Sequence, residues 1–237
     1  MDLPLFYAPG LETPDRNWVL DEEASRHAVR VLRLQPGEPL YLTDGQGVLA
    51  LARIADAHPK RCRLKIESSE LQPPRRPRRA VALAPTKQAS RLEWFLEKAT
   101  ELGISEIFLA NTERSERSQV KEQRLQHVLV SAMLQSRQTY LPKLHAPQPL
   151  AALLEHPDYP CRMLAWCGPM EKPHLKDLLQ PDQPALVLIG PEGDFSQSEA
   201  AAALKAGCFI VSLGATRLRV ETAALLSAVL LTLDQQA

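Results

Sequence analysis

The 237-residue sequence has few cysteines, and none of them is paired. Cys62, Cys161, Cys167 and Cys208 are scattered, with no C-x-x-C motif. That spacing excludes the common zinc patterns and a disulfide framework, and it fits a reducing compartment. Net charge is also missing, because 28 Lys and Arg are matched by 28 Asp and Glu. Overall charge therefore supplies no attraction to nucleic acid, and any such contact has to come from local patches. The longest apolar run lies in AALLSAVLLTL (223–233); it is too short to span a bilayer and reads as a buried helix. The N-terminus MDLPLFYAPG has neither a basic region nor a long apolar stretch. No signal peptide and no membrane partner are expected, and the cytoplasm is the expected compartment. There is no internal repeat, no heptad and no G-x-x-x-x-G-K-[ST] loop, which removes solenoids, coiled coils and phosphate-loop enzymes.

What remains is a chain with 45% hydrophobic residues, long enough for one large domain or a medium domain with a small one. The first seventy residues lack helical periodicity. They carry short β-type runs (EPLYLTD, VLALARIA, RCRLKIES) separated by turn signals at Pro36-Gly37, Asp44-Gly45 and His58-Pro59. Such spacing predicts a small β-barrel over residues 1–71. QPPRRPRR (72–79) reads as a solvated linker, since its prolines disfavour helix and strand. From residue 80 to 237 the pattern alternates strand and helix. Strand 80–84 leads to a helix opening at Ser90 with Glu93 as its capping box and ending at Gly103, followed by strand 104–110. A helix is expected over about 119–138, strand 162–166, a short helix near 173–179, and strand 185–189. Ser196 and Glu199 form a second capping box, Gly207 ends that helix, and strand 209–213 precedes a last helix from about Glu221. Buried strands interleaved with helices predict an α/β domain with a parallel sheet covered on both faces.

Ligands of open parallel sheets bind at the carboxyl ends of the strands. Two loops there have unusual composition. In Gly190-Pro191-Glu192-Gly193-Asp194-Phe195, the glycines permit a tight turn with exposed amides. An ordinary strand-to-helix turn is the plain alternative. Glu192 and Asp194 would repel a pyrophosphate but tolerate a phosphate-free cationic ligand, of which S-adenosylmethionine is one. The second loop, Ser212-Leu213-Gly214-Ala215-Thr216-Arg217-Leu218-Arg219-Val220-Glu221-Thr222, opens a nearly all-apolar helix. An acid in a first helical turn is favoured by the helix dipole, whereas arginines there are not and need another reason.

At this point a family resemblance becomes specific. A strand, GPEGDF and Ser-x-x-Glu, then a strand and SLGATRLRVETAA, resemble the signature of the SPOUT methyltransferases. Within them the chain resembles the family that methylates N3 of a uridine in 16S ribosomal RNA. RHAVRVLRLQPGEPLYLTDGQG is similar to that family's N-terminal PUA-like domain. KATELGISEIFLANTERS (98–115) and LQSRQTYLPKL (134–144) resemble its helix–strand unit and its mid-domain Gln-Ser segment. The chain departs from the family at Asp194, where a second glycine is usual, and in Arg217-Leu218-Arg219.

The resemblance implies a C-terminal SPOUT domain tied in a trefoil knot, with S-adenosylmethionine held in the knot loops. The donor site would comprise Ile189, Gly190, Pro191, Glu192, Gly193, Leu213, Gly214 and Leu218, with Trp166 and Gly168 forming a third wall. It further implies a homodimer packed through the last helix, and 16S ribosomal RNA, within the small ribosomal subunit, as substrate. Arg219 is the candidate for stabilising charge on the uracil oxygens. Glu221 either orients Arg219 or accepts the N3 proton, and Thr222 either bonds the base or caps the helix. Arg26, Arg30 and Arg33, with Arg61, Arg63 and Lys65 on one strand face, are expected to meet RNA phosphates. A SPOUT enzyme for another RNA or a ribose hydroxyl, and a non-catalytic RNA-binding assembly factor, are the alternatives.

Overall fold

The computed structural model describes residues 3–11, 17–115 and 121–233. Two compact units divide the chain. One comprises Met1–Pro74 with Met133–Leu141, the other Arg75–Ala132 with Pro142–Ala237.

In the first unit, β1 (Leu5–Tyr7), β2 (Asn17–Val19), β3 (Pro39–Thr43), β4 (Val48–Asp56) and β5 (Arg63–Leu71) form one sheet in the order β1-β3-β4-β5-β2. Alternation along β3 and β4 buries Leu40, Leu42, Ala50, Ala52 and Ile54 on one face. The sheet curls around these and Phe6, Leu20, Cys62 and Leu64 as a half-barrel. Asp44 shapes the β3–β4 turn, its Oδ1 accepting from the amides of Gln46 (2.7 Å) and Val48 (3.0 Å). The region also contains helix, which its lack of helical periodicity did not signal. Asp21 caps α1 (Glu22–Arg26), which runs on into a π-helical turn at His27–Val31. A five-residue helix is too short to show a 3.6-residue period, so only its Asp cap signals it.

The QTYL segment, 138–141, returns to this unit. Gly47 N–H donates to Thr139 O (2.9 Å), Leu141 N–H to Gly45 O (2.8 Å), and the Tyr140 hydroxyl to Gln72 O (2.7 Å). Gly47 is obligatory here, because its φ is +106° and a Cβ would run into the Tyr140 ring.

The second unit holds a six-stranded parallel sheet: β6 (Arg79–Leu83), β7 (Glu106–Asn111), β8 (Lys143–Pro149), β9 (Cys161–Ala165), β10 (Ala185–Ile189) and β11 (Phe209–Val211), in the order β11-β9-β10-β6-β7-β8. β6 and β10 are buried at every residue, as central strands covered on both faces should be. β8 is an edge strand, which is why it tolerates Pro147 and Pro149 and why those prolines hid it from the pattern. The helices are α2 (Ala89–Leu102), α3 (Glu122–Gln135), α4 (Leu150–Leu154), α5 (Gln197–Lys205) and α6 (Val220–Thr232). α2 ends on Gly103 in the left-handed conformation, and α5 opens on the Ser196/Glu199 capping box, both as expected. The expected box at Ser90 is not formed. The cap lies two residues earlier, at Gln88, and Glu93 instead pairs with Arg124 (Oε2–Nη2 2.8 Å). After β11 the chain recrosses the sheet, so that α6 packs on β6, β10 and α2.

Residues 73–76 are exposed, as a solvated linker requires, but the end of the 72–79 segment is not, because Arg78 and Arg79 are fixed within the second unit. Arg75 donates to Leu102 O (3.0 Å) at the C-terminus of α2, where a cation is favoured by the dipole. Arg78 pairs with Glu106 (3.2 Å) and Asp158 (3.3 Å). Arg79 is 1% exposed and opens β6, its guanidinium donating to the carbonyls of Gln183 (2.7 Å), Gln180 (3.0 Å) and Pro181 (3.3 Å). Burying a cation this fully is tolerable only because those carbonyls replace its water. Arg79→Met is expected to destabilise the protein by about 2–3 kcal/mol, the loss typical of hydrogen bonds to a charged group. Urea unfolding would register this as a lower midpoint, and an unchanged midpoint would show the guanidinium to be dispensable.

Candidate active site

Because β9, β10 and β11 are neighbours in one parallel sheet, their following loops emerge side by side at its carboxyl edge. The β10 loop is a tight turn in which Asp194 N–H donates to Pro191 O (2.9 Å). Asp194 itself has φ +61°. Glycine is the usual occupant of this left-handed region, and aspartate is among the few other residues that enter it at modest cost. The aspartate also adds something glycine cannot. Its Oδ1 accepts from Phe195 N (2.8 Å) and its Oδ2 from Cys167 N (2.9 Å), so one carboxylate joins the β10 loop to the β9 loop. A second tie runs parallel to it, from Trp166 Nε1 to Phe195 O (3.1 Å).

The glycines fit around these ties. A Cβ on Gly190 would lie 3.0 Å from Phe195 N and 3.1 Å from its ring, so the turn closes only on a bare backbone. A Cβ on Gly168 would enter the Trp166 indole. Lys172 completes that wall. Its Nζ donates to Gly168 O (2.7 Å) and stands 5.8 Å from the centre of the Trp166 ring. The β11 loop is held to the same wall through Ser212, which donates to Pro173 O (2.9 Å) and accepts from Leu175 N (3.0 Å). Gly214 follows at φ +127°.

The expected donor-site residues therefore fall on three connected loops. Ile189, Gly190 and Pro191 are buried at the floor, Trp166, Gly168, Leu213 and Leu218 are half-buried, and Glu192, Gly193 and Gly214 face solvent. Burial raises the Cys167 thiol above its ordinary range and Asp194 raises it further, with Lys172 and Arg217 opposing. Arg217 thus lies close enough to feel the β9 loop. Arg219 is exposed at the cap of α6, and Thr222 is exposed in its first turn. The helix cap is Arg219, so Thr222 is not the capping residue.

Two contributors, and a second role for Glu199, escaped the sequence reading. Arg114, following β7, donates to Gly193 O (2.6 Å) and fixes the β10 loop from its other side. Glu199 uses both carboxylate oxygens, closing its capping box and accepting from Glu113 N (2.8 Å). Arg91 on α2 faces Glu221. The contact of Glu199 to Glu113, like those of Arg114 and Arg91, acts across the fold and carries no local motif. A recess of about 570 Å³ lined by Leu109, Gln123, Leu144, His145 and Pro147 opens on the β7–β8 side of β6. None of the expected site residues lines it.

The basic residues expected to meet RNA belong to the first unit, and all six are exposed. Arg63 and Lys65 point outward from β5 while Leu64 is buried between them, whereas Arg61, expected on the same strand face, precedes the strand. Cys62 N–H donates to Ser25 Oγ (2.9 Å), which brings Arg61 and Arg63 up to the α1 segment carrying Arg26, Arg30 and Arg33. Arg26 already pairs with Glu22 (2.9 Å).

Comparison with known proteins agrees with this geometry. Residues 74–232 match the family described as RNA methyltransferase domain, and residues 20–67 match the RNA methyltransferase PUA domain. A "probable rRNA-methyltransferase" from Porphyromonas gingivalis superposes with a TM-score of 0.92 and 40% identity, covering 99% of both chains. Ribosomal RNA small subunit methyltransferase E from Neisseria gonorrhoeae, solved bound to S-adenosyl methionine, superposes with a TM-score of 0.83 and 25% identity over 96% of this chain and 95% of that one. The enzyme of the same name from Synechocystis is 33% identical over 82% of this chain, and the match spans 65% of that relative's length. With both its domains matched in order and along nearly the whole sequence, the chain belongs to the RNA methyltransferase family that carries an N-terminal PUA domain.

Proposed function

We propose that the chain methylates N3 of a uridine in 16S ribosomal RNA with S-adenosylmethionine as donor, acting as a cytoplasmic homodimer on the small ribosomal subunit. The observation that carries this reading is the set of loops at the carboxyl edge of β9, β10 and β11, tied together by Asp194 and flanked by Arg217 and Arg219. Its composition suits that donor. The loop amides and apolar side chains offer a dry, flat lodging, while Asp194 and the exposed Glu192 would repel a pyrophosphate. Relatives whose names specify ribosomal RNA, one of them holding the donor, support the substrate class.

Bound there, S-adenosylmethionine supplies an electrophilic methyl group on a sulfonium. The chain's own work is then positioning and charge. Ile189, Gly190, Leu213 and Leu218 would line the donor and exclude water, which favours an in-line displacement. The uracil N3 must lose its proton to become a nucleophile, and negative charge then spreads to O2 and O4. Arg219, exposed at the mouth without a capping role for its side chain, is placed to meet that charge. Leu225, Leu226, Val229 and Leu230 are only half-buried on α6 and Leu233 is 55% exposed, an apolar strip suited to a second copy.

Arg219→Ala is expected to lower kcat by about 10²–10³-fold, the range for loss of one charge-stabilising donor, with donor affinity nearly unchanged by calorimetry. Near-normal turnover would remove Arg219 from the mechanism. Mass spectrometry of 16S ribosomal RNA from a deletion strain should show 3-methyluridine missing. Asp194→Gly keeps the backbone conformation but deletes both acceptors, so donor Kd should rise about tenfold while the melting temperature moves little. An unchanged Kd would mean that the tie between loops is incidental. For the first unit, RNA affinity should fall steeply with salt. A logarithmic slope of about −4 is expected for five or six phosphate contacts, reduced by about 2–3 when Arg61, Arg63 and Lys65 are replaced together. A flat response would remove the phosphate contacts.

A further inference from the structure

The reaction proposed above needs an acceptor for the uracil N3 proton, and Glu221 is the carboxylate nearest the mouth in sequence. Its surroundings are unusual. The side chain is 12% exposed, Oε1 stands 3.6 Å from Arg91 Nε, and Oε2 is buried with no hydrogen-bond partner among the described residues. The partner is also unusual. Arg91 occupies the first turn of α2, which contains no acidic residue, although a helix N-terminus disfavours a cation. Local helix electrostatics therefore do not explain Arg91, whereas its reach to α6 does. α2 starts just after β6, the strand beside β10, so its N-terminus opens on the same edge of the sheet as the three donor-site loops.

We propose that Arg91 is a positioning residue for methyl transfer. It holds the Glu221 carboxylate through Oε1, so that the exposed part of this group accepts the N3 proton. In that step the N3–methyl bond forms as the sulfur–methyl bond breaks, and the proton from N3 passes to the Glu221 carboxylate. The products are methylated base, neutral thioether and protonated Glu221, which returns its proton to solvent. This assignment rests on the function proposed above. It also separates the roles of the two residues at the mouth, with Arg219 meeting oxygen charge and Glu221, anchored from behind by another arginine, meeting the proton.

The test uses full-length protein, radiolabelled S-adenosylmethionine and small subunits from the deletion strain. Arg91→Met should lower kcat by about 10²-fold, the low end for loss of a proton acceptor, with the donor Kd by calorimetry shifting less than about threefold. Arg91→Lys restores a cation to a contact that is not bidentate and should recover kcat to within about fivefold of the parent. Arg91→Met combined with Glu221→Gln should be no slower than Glu221→Gln alone, and melting temperatures of the four proteins without donor should be non-additive. Additive losses, equal damage by Met and Lys, or a kcat loss matched by lost donor affinity would each overturn the assignment. A parent protein that transfers no methyl group sinks the function and this role together. An active parent with an unimpaired Arg91→Met sinks only the role of Arg91, and the melting cycle reports the ion pair in either case.

Discussion

The arrangement of the β9 and β10 loops depends on a carboxylate in a backbone conformation that glycine would ordinarily occupy. Asp194 turns the β10 loop back on itself at φ +61° and, from that turn, ties it to the amide of Cys167 on the β9 loop. The consequences spread outward in order. With Phe195 fixed, its carbonyl receives the Trp166 indole, the indole requires Gly168 beneath it, and Lys172 closes over both. Each contact is modest alone. Together they hold two loops in one arrangement, which would lower the ordering cost of a ligand binding there.

Arginine serves two purposes at the two edges of the same sheet. At the amino edge Arg78 and Arg79 are used up structurally, one paired to Glu106 and Asp158, the other buried against three carbonyls. At the carboxyl edge Arg219 stands exposed at a helix N-terminus, where the dipole works against it, and Arg91 occupies a similar position at the start of α2. Placement against local electrostatics is informative because folding alone would not select it. A cation there gains its stabilisation from a partner across the crevice or from a ligand.

Much of this was readable from the chain. The strand 185–189 and the Ser196/Glu199 cap are local features, and they stand where periodicity and capping chemistry put them. The loops on Gly190 and Gly214 were found because their composition is abnormal for a turn. What could not be read is whatever acts across the fold. The partner of Glu221 lies on α2, Arg114 reaches the β10 loop from the far side of β6, and the Gln-Ser segment rejoins the first unit through Tyr140. The signal for that last contact was the second glycine of Asp44-Gly45-Gln46-Gly47, spaced out by a ring ninety residues away. The arginines after Pro74 misled for a related reason, since a buried guanidinium and a solvated one look alike in sequence.

The balance of charge in the whole chain conceals how unevenly charge is used. Several cations are cancelled within the fold: Arg53 makes a two-point contact to Glu67 across β4 and β5, Arg124 pairs with Glu93, and Lys98 lies between Glu97 and Glu101. Arg30 and Arg33 beside α1, Arg61 just before β5, and Arg63 and Lys65 on β5 face solvent, where β5 opens by alternating cation and apolar residue. A polyanion responds to the nearest few charges, because salt screens the rest beyond about 10 Å. What it meets is that local face and not the sum. An electroneutral protein can therefore bind RNA tightly where its cations are exposed and remain indifferent to it elsewhere, a form of selectivity that an excess of positive charge would blur.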